Sequence, residues 1–149
     1  MENTFILLKP DALKRGLVEP ILSMFEEAGL HIVQSKRVIV TQDKIINHYK
    51  EVIERLDLPH FQGAILDFFE GEEVLIAIVQ SEHDTVAKVR NLIGATDPKK
   101  AEPHTVRGLY GIDSFELANA EKRMIQNLIH ASDSLESAQF ETQLWFETL

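Results

Sequence analysis

The sequence predicts an α+β domain, a four-stranded antiparallel sheet with helices on one face plus extra helices and one long loop. Three observations predict it. Strand-like and helix-like segments alternate as β α β (α α) β α loop β α along the 149 residues. Two strand candidates, Phe5–Leu8 and Val74–Val79, are unbroken apolar runs of the kind found in covered strands. No repeat, low-complexity run or proline-rich linker interrupts the order, so one domain over residues 1–149 is expected. A three-layer parallel sheet would need more strands for this many helices, which leaves the split βαβ, or ferredoxin-like, arrangement.

Each element has a local reason. Phe5-Ile-Leu-Leu8 stops at Lys9-Pro10-Asp11 and reads as a buried strand closed by a turn. Between Leu17 and Ala28, Ile21, Met24, Phe25 and Ala28 recur at helical spacing, and Gly29 provides the stop. Pro20 falls in the first turn, where its missing N–H costs nothing. Leu30 to Val40 is rich in β-branched residues and reads as a strand. Thr41 is placed to cap a polar helix carrying Ile45, Ile46 and Tyr49, and a short helix over Phe61–Phe69 begins just beyond Pro59. Glu72–Gln80 is the central strand, and Asp84–Ile93 a helix with Val86, Val89 and Ile93 on one side. From Gly94 to Gln126 there are turn signals at Thr96-Asp-Pro98 and Glu102-Pro-His104 but no clear period. Asn127–His130 is a brief last strand, and Ser132-Asp-Ser134 opens a final helix ending near Trp145-Phe146. Within it Asp133 and Glu136 have the spacing of a capping box.

Composition narrows the function. Fifteen Lys and Arg against 24 Asp and Glu give a net charge of −9, the wrong sign for affinity built on nucleic-acid phosphates. The absence of cysteine excludes disulfides, thiolate–zinc sites and thiol nucleophiles, and fits a reducing compartment. MENTFILLKPD lacks the pattern of a signal peptide, and no stretch approaches the ~20 apolar residues of a membrane span. A soluble intracellular domain with no membrane or nucleic-acid partner is the expectation.

The chemistry-bearing residues sit at element ends. An ammonium such as Lys9 after an apolar strand loses its water unless an anion replaces it. Taken singly, Lys9, Arg90 and Arg107 read as solvated surface cations. Their company changes that. Arg90 precedes Gly94-Ala-Thr96-Asp-Pro98, and Arg107 lies in Thr105-Val-Arg-Gly108, so two guanidinium forks, a hydroxyl and two approachable backbone sites could form a polyphosphate pocket. Of six histidines, His31 and His48 read as surface or boundary residues, His83 as adjacent to a helix start and His104 as part of a turn. His130 ends a strand just before a cluster of capping side chains. That position favours an anion and disfavours imidazolium, so a neutral ring could act as nucleophile. Glu141, two turns into the last helix, is placed to orient that ring.

Together these residues resemble the nucleoside diphosphate kinase family over nearly the whole chain. Thr4-Phe-Ile-Leu-Leu-Lys-Pro-Asp11 with Arg15-Gly-Leu-Val18 is similar to the family's opening. Asn127-Leu-Ile-His-Ala-Ser-Asp-Ser134, with Glu136-Ser-Ala138 and Leu144-Trp-Phe146, is similar to its active-site signature. The resemblance implies a ferredoxin-like fold and transfer of the γ-phosphate of a nucleoside triphosphate to a nucleoside diphosphate. It implies ping-pong kinetics through a phosphohistidine, broad base specificity, and Mg²⁺ carried on the nucleotide phosphates with no protein ligand. It makes His130 the phosphate carrier and Glu141 its orienting neighbour, with Lys9, Tyr49 and Arg107 around the transferring phosphate. Arg90 and Thr96 would hold the inner phosphate, and Asn127 and Lys9 the sugar hydroxyl. A cytoplasmic homo-oligomer, tetramer or hexamer built from dimers, is also implied. The chain departs from the family pattern at three places. His60, in Pro59-His-Phe-Gln-Gly63, stands where the family has a base-stacking Phe, leaving Phe61 for the core. Leu109–Gln126 is a longer loop on the nucleotide side, and Ala131 replaces the commoner Gly. The alternative is a non-catalytic nucleotide-binding module of the same fold.

Overall fold

A computed structural model describes residues 1–56 and 60–147, apart from the Glu147 side chain. The chain runs β1 (Glu2–Leu8), α1 (Pro10–Lys14), α2 (Val18–Glu27), β2 (His31–Ile39), α3 (Gln42–Leu56), α4 (Phe61–Phe69), β3 (Glu73–Ser81) and α5 (Thr85–Ile93). There follow a 3₁₀ turn (Pro98–Lys100), α6 (Val106–Tyr110), α7 (Phe115–Ala120), β4 (Ile129–Ala131), α8 (Leu135–Thr142) and a π-helical turn (Gln143–Glu147). The strands form one sheet in the order β2-β3-β1-β4, every neighbouring pair antiparallel. This is the expected split βαβ topology. The expected position of Pro59, just ahead of α4, lies outside the described residues.

Period-two alternation along β1 and β3 builds two cores. Ile6, Leu8, Leu75, Ala77 and Val79 face α2 and α5, meeting Ile21, Phe25, Val89 and Ile93. Phe5, Leu7, Val74 and Ile76 face the opposite side, where the extra helices α3 and α4 bring Ile45, Ile65 and Phe69, and Trp145 closes the cluster. Because both faces are covered, both strands read as continuous apolar runs. The Lys9-Pro-Asp stop is more than a turn: Pro10 occupies the first helical position of α1, where its fixed φ favours helix.

The unassigned stretch between α5 and β4 is made of very short capped pieces. Asp97 Oδ1 accepts the Lys99 N–H (3.0 Å), Thr105 Oγ1 that of Gly108 (3.1 Å), and Ser114 Oγ that of Leu117 (3.1 Å). Arg123 clamps Asp113 through two bonds of 2.7 and 2.9 Å, and Asp113 Oδ2 also accepts the Gln126 N–H (2.8 Å). The long loop is therefore stapled across its base. At α8 the expected Asp133–Glu136 capping box does not form. Ser134 has the extended cap conformation and accepts the Ser137 N–H (3.0 Å), while Asp133 accepts the Ser137 hydroxyl (2.8 Å).

Candidate active site

The strand carrying His130 is held by the Lys9-Pro-Asp11 segment. The Lys9 N–H donates to the Leu128 carbonyl (2.8 Å), and the Leu128 N–H donates to Asp11 Oδ2 (3.1 Å). Leu128 needs that grip, because its φ of 76° is left-handed and costs roughly 1–2 kcal/mol for a residue with a Cβ. Full burial of its side chain offsets the strain by a similar or larger amount, roughly 1.5–3 kcal/mol. His130 then pairs with Leu7 in the β1–β4 register and shares the face of Phe5 and Leu7. Ala131 has no positive φ, so the missing glycine places no strain after His130.

Among the described residues the ring of His130 is hydrogen-bonded at one edge. Its Nε2 lies 2.8 Å from Glu141 Oε1, and Ser132 Oγ donates to the same oxygen at 2.6 Å. An ionised carboxylate can only accept, so with Glu141 ionised the ring proton lies on Nε2 and the lone pair on Nδ1. Among the described residues no hydrogen bond ends on Nδ1. Burial, then Lys9, Arg107 and Arg90, push the His130 pKa down to about 3, so the ring is uncharged at neutral pH. Burial also lifts the Glu141 carboxyl above its ordinary range.

Around this ring the cations converge. Lys9 is 4% exposed and its Nζ donates to Asn127 Oδ1 (2.8 Å), while Asn127 Nδ2 donates to the Thr96 carbonyl (2.9 Å). Buried Arg107 donates to three carbonyls, those of Asn127 (3.3 Å), Gly94 (3.1 Å) and Ile129 (2.6 Å). Arg90, exposed at the end of α5, donates to the Ala131 carbonyl (3.0 Å). Crowding of like charges has a signature. Burial and Arg107, partly offset by Asp11, bring the Lys9 pKa down to about 7. Burial and Arg90 bring Arg107 to about 10, and burial raises the Tyr49 phenol.

Lys9, Tyr49, His60, Arg90, Thr96, Arg107, Asn127 and His130 all line one cleft of about 500 Å³, and Glu141 stands behind His130. The cleft also has an apolar lining, Val52, Leu56 and Ala64 from α3 and α4 and Phe115, Ala118 and Met124 from the stapled loop. Phe61 packs against the core and also reaches the cleft. None of the described lining residues is a carboxylate, so a divalent cation here would have to arrive with an anionic ligand.

His48, expected at the surface or its boundary, lies inside: it is 9% exposed, with its ring centroid 4.5 Å from that of His130. The signal was present, since Ile45, His48 and Val52 share a helical stripe. Ser132 and Asp11, which hold Glu141 and Leu128, were also missed as supporting residues. Polar atoms of His48, His130 and Glu141 lie within 4.8 Å of one another. They do not suit a metal, because His48 Nδ1 accepts the Trp145 indole N–H (3.0 Å), which leaves the ring proton on Nε2.

The nucleoside diphosphate kinase family model matches residues 2–149. The enzyme of that name from Pyrococcus furiosus is 40% identical over 147 residues, covering 99% of this chain and 84% of its own length. That from Trichodesmium erythraeum is 42% identical over 147 residues, covering 99% and 89%. Among solved structures, the nucleoside-diphosphate kinase of Borrelia burgdorferi, a transition-state mimic with bound vanadate and ADP, superimposes with a TM-score of 0.92 at 32% identity. The match covers 99% of this chain and 88% of that one. An NDP kinase from Pyrobaculum aerophilum gives 0.86 at 32% identity, covering 97% and 95%. With the fold, the ordered motifs and the cationic cleft in agreement, the chain belongs to the nucleoside diphosphate kinase family.

Proposed function

We propose that this protein moves the γ-phosphate of a nucleoside triphosphate to a nucleoside diphosphate through a phosphohistidine at His130. The observation that carries the reading is the asymmetry of that ring. Nε2 is tied to Glu141, while Nδ1 keeps its lone pair at the wall of a cleft that holds Lys9, Arg90 and Arg107. Nδ1 attacks the γ-phosphorus, a nitrogen–phosphorus bond forms, and the bond to the β-phosphate oxygen breaks. The nucleoside diphosphate leaves with that electron pair. The Nε2 proton stays in place and the new imidazolium is balanced by Glu141. A second diphosphate in the same cleft takes the phosphoryl group by the reverse step, giving ping-pong kinetics.

Lys9, Arg107 and Tyr49 surround the transferring group, Arg90 and Thr96 the inner phosphate, and Asn127 with Lys9 the sugar hydroxyl. Mg²⁺ enters as part of the substrate on phosphate oxygens, consistent with a cleft lined by cations and amides. His60 and the apolar part of the lining meet the base. A shallow contact of that kind suits broad base specificity, because affinity then comes from phosphates and sugar. The chain acts as a single catalytic domain in a cytoplasmic homo-oligomer built from dimers, with no membrane or nucleic-acid partner. No helix among the described residues is long and apolar enough to cross a membrane.

Incubation with γ-labelled ATP and Mg²⁺ should leave an acid-labile, base-stable label that is absent from His130→Ala. A protein that binds ATP but takes no label is a binding module, and the kinase reading fails. A donor profile limited to purines would refute the broad specificity.

A further inference from the structure

Behind His130 stands a pair of buried side chains with no part in the transfer step, His48 on α3 and Trp145 in the π-helical turn. The Trp145 Nε1–H donates to His48 Nδ1 at 3.0 Å. An indole nitrogen can only donate, so His48 Nδ1 must hold a lone pair and the ring's one proton sits on Nε2. A second proton would have to enter at Nδ1, against an N–H already at bonding distance. The pair thus selects one tautomer and one charge state.

The same ring braces the nucleophile. His48 meets His130 edge-on, with centroids 4.5 Å apart and planes at 79°. Trp145 lies 5.8 Å from His48 and stacks at 20° on Phe5, which in turn sits 6.3 Å from His130. We propose that His48, held neutral in a single tautomer by the Trp145 indole, is a positioning residue for His130. It fixes the plane of the nucleophilic ring and keeps positive charge away from the place where phosphorylation creates one. This inference rests on the phosphohistidine reading.

The groups facing His48 come from several elements. They are His130 on β4, Glu141 on α8, Lys9 after β1, and Tyr49 on its own helix at 4.8 Å. A cavity of about 600 Å³ that His48 and Glu141 themselves border is also lined by Lys50, Glu51, Glu54, Asp133 and Glu136, and Lys44 Nζ lies 5.9 Å over the Trp145 ring. Glu141 favours a charge on His48, but burial, His130 and Lys9 oppose it more strongly and push its pKa down to about 3.

Trp145→Phe keeps an aromatic ring and deletes the donor. Nitrogen-15 histidine NMR of nucleotide-free protein should find wild-type His48 neutral and protonated at Nε2 down to about pH 5. In Trp145→Phe it should titrate about one unit or more higher, or sample the Nδ1–H tautomer. In the pH profile of kcat, the variant should stay within about threefold of wild type near pH 8 and fall further behind as pH drops through that raised value, about tenfold further by one unit below it. Adding His48→Asn should abolish that extra acid limb. A Trp145 that only fills space would lower activity by one factor at every pH, and parallel profiles would overturn the proposal. So would a wild-type His48 carrying its proton on Nδ1, a measurement that stands even if Trp145→Phe fails to fold. The NMR arm needs no activity, so a wild type without phosphotransfer would sink the kinase reading and leave the tautomer result intact.

Discussion

Replacing Glu141 with Gln isolates the electrostatic support that it is proposed to give His130. Glu141 Oε1 receives both His130 Nε2–H (2.8 Å) and the Ser132 hydroxyl (2.6 Å), and a Gln oxygen can accept the same two donors. The geometry survives and the charge is lost. In the resting enzyme the ring is neutral, so the loss is modest there. Once phosphorus bonds to Nδ1 the ring is cationic, and the contact becomes an ion pair shielded from water, the Glu141 side chain being only 10% exposed. Hydrogen bonds to charged groups contribute about 1.5–3 kcal/mol, and a pair of charges at ~4 Å about 4 kcal/mol at an effective dielectric of 20. Retaining the neutral bond while losing the charge should therefore cost about 2–3 kcal/mol of transition-state stabilisation, or about 30- to 150-fold in rate. Rapid-quench measurement of phosphoenzyme formation from labelled ATP reads this half-reaction directly. The carboxyl is held above its ordinary pKa by burial. Protonation makes wild type resemble the variant, so their ratio should shrink as pH falls through that raised value and level off above it. A Glu141→Gln rate within about threefold of wild type near pH 8, with an unchanged melting temperature, would refute an electrostatic role for this carboxylate.

Three further outcomes follow from the cleft and its supports. Lys9 has its pKa depressed to about 7 by burial and Arg107, and a bound polyphosphate restores the ammonium. Nucleotide binding should take up close to one proton near pH 8 and almost none near pH 6, measured by calorimetry in buffers of different ionisation enthalpy; equal uptake at both would exclude Lys9 as the source. A Cβ at Gly108 would overlap the backbone carbonyl of Glu102, which no rotamer relieves. Gly108→Ala should cost about 1–3 kcal/mol and lower Tm by about 2–4 °C per kcal/mol, shifting Arg107 and reducing kcat as well. His60 is exposed at the cleft rim, and aromatic stacking on a base contributes about 1–3 kcal/mol. His60→Phe should lower KM for diphosphates about two- to tenfold with little change in kcat, and an unchanged KM would place the base elsewhere.

What was legible in the sequence follows from the length scale of each signal. Two strands buried on both faces write themselves as continuous apolar runs, and the ordered motifs around Lys9, Arg90, Thr96, Arg107, Asn127 and His130 name residues that share one cleft. The stretch from Gly94 to Gln126 was opaque because α6 and α7 have five and six residues, under two turns each, too few for a hydrophobic period. Its order comes instead from caps and from the Arg123–Asp113 clamp, which joins residues ten apart. At α8 the run Ser132-Asp-Ser134 offers three capping residues in a row, and choosing among them needs backbone angles. His48 was hidden by type: a polar residue on a polar helix reads as solvated until its tertiary neighbours, Trp145 and His130, are in place.

Arg107 gives three of its five N–H groups to carbonyls on two segments of chain, Gly94 after α5 and Asn127 and Ile129 at β4. On the proposed reading, one side chain is therefore both a brace of the architecture and a contact of the transferring phosphate. A survey scoring variants by abundance would file Arg107 under folding, and one scoring turnover would file it under catalysis. Only refolding yield and turnover measured on the same substitution can tell the two losses apart.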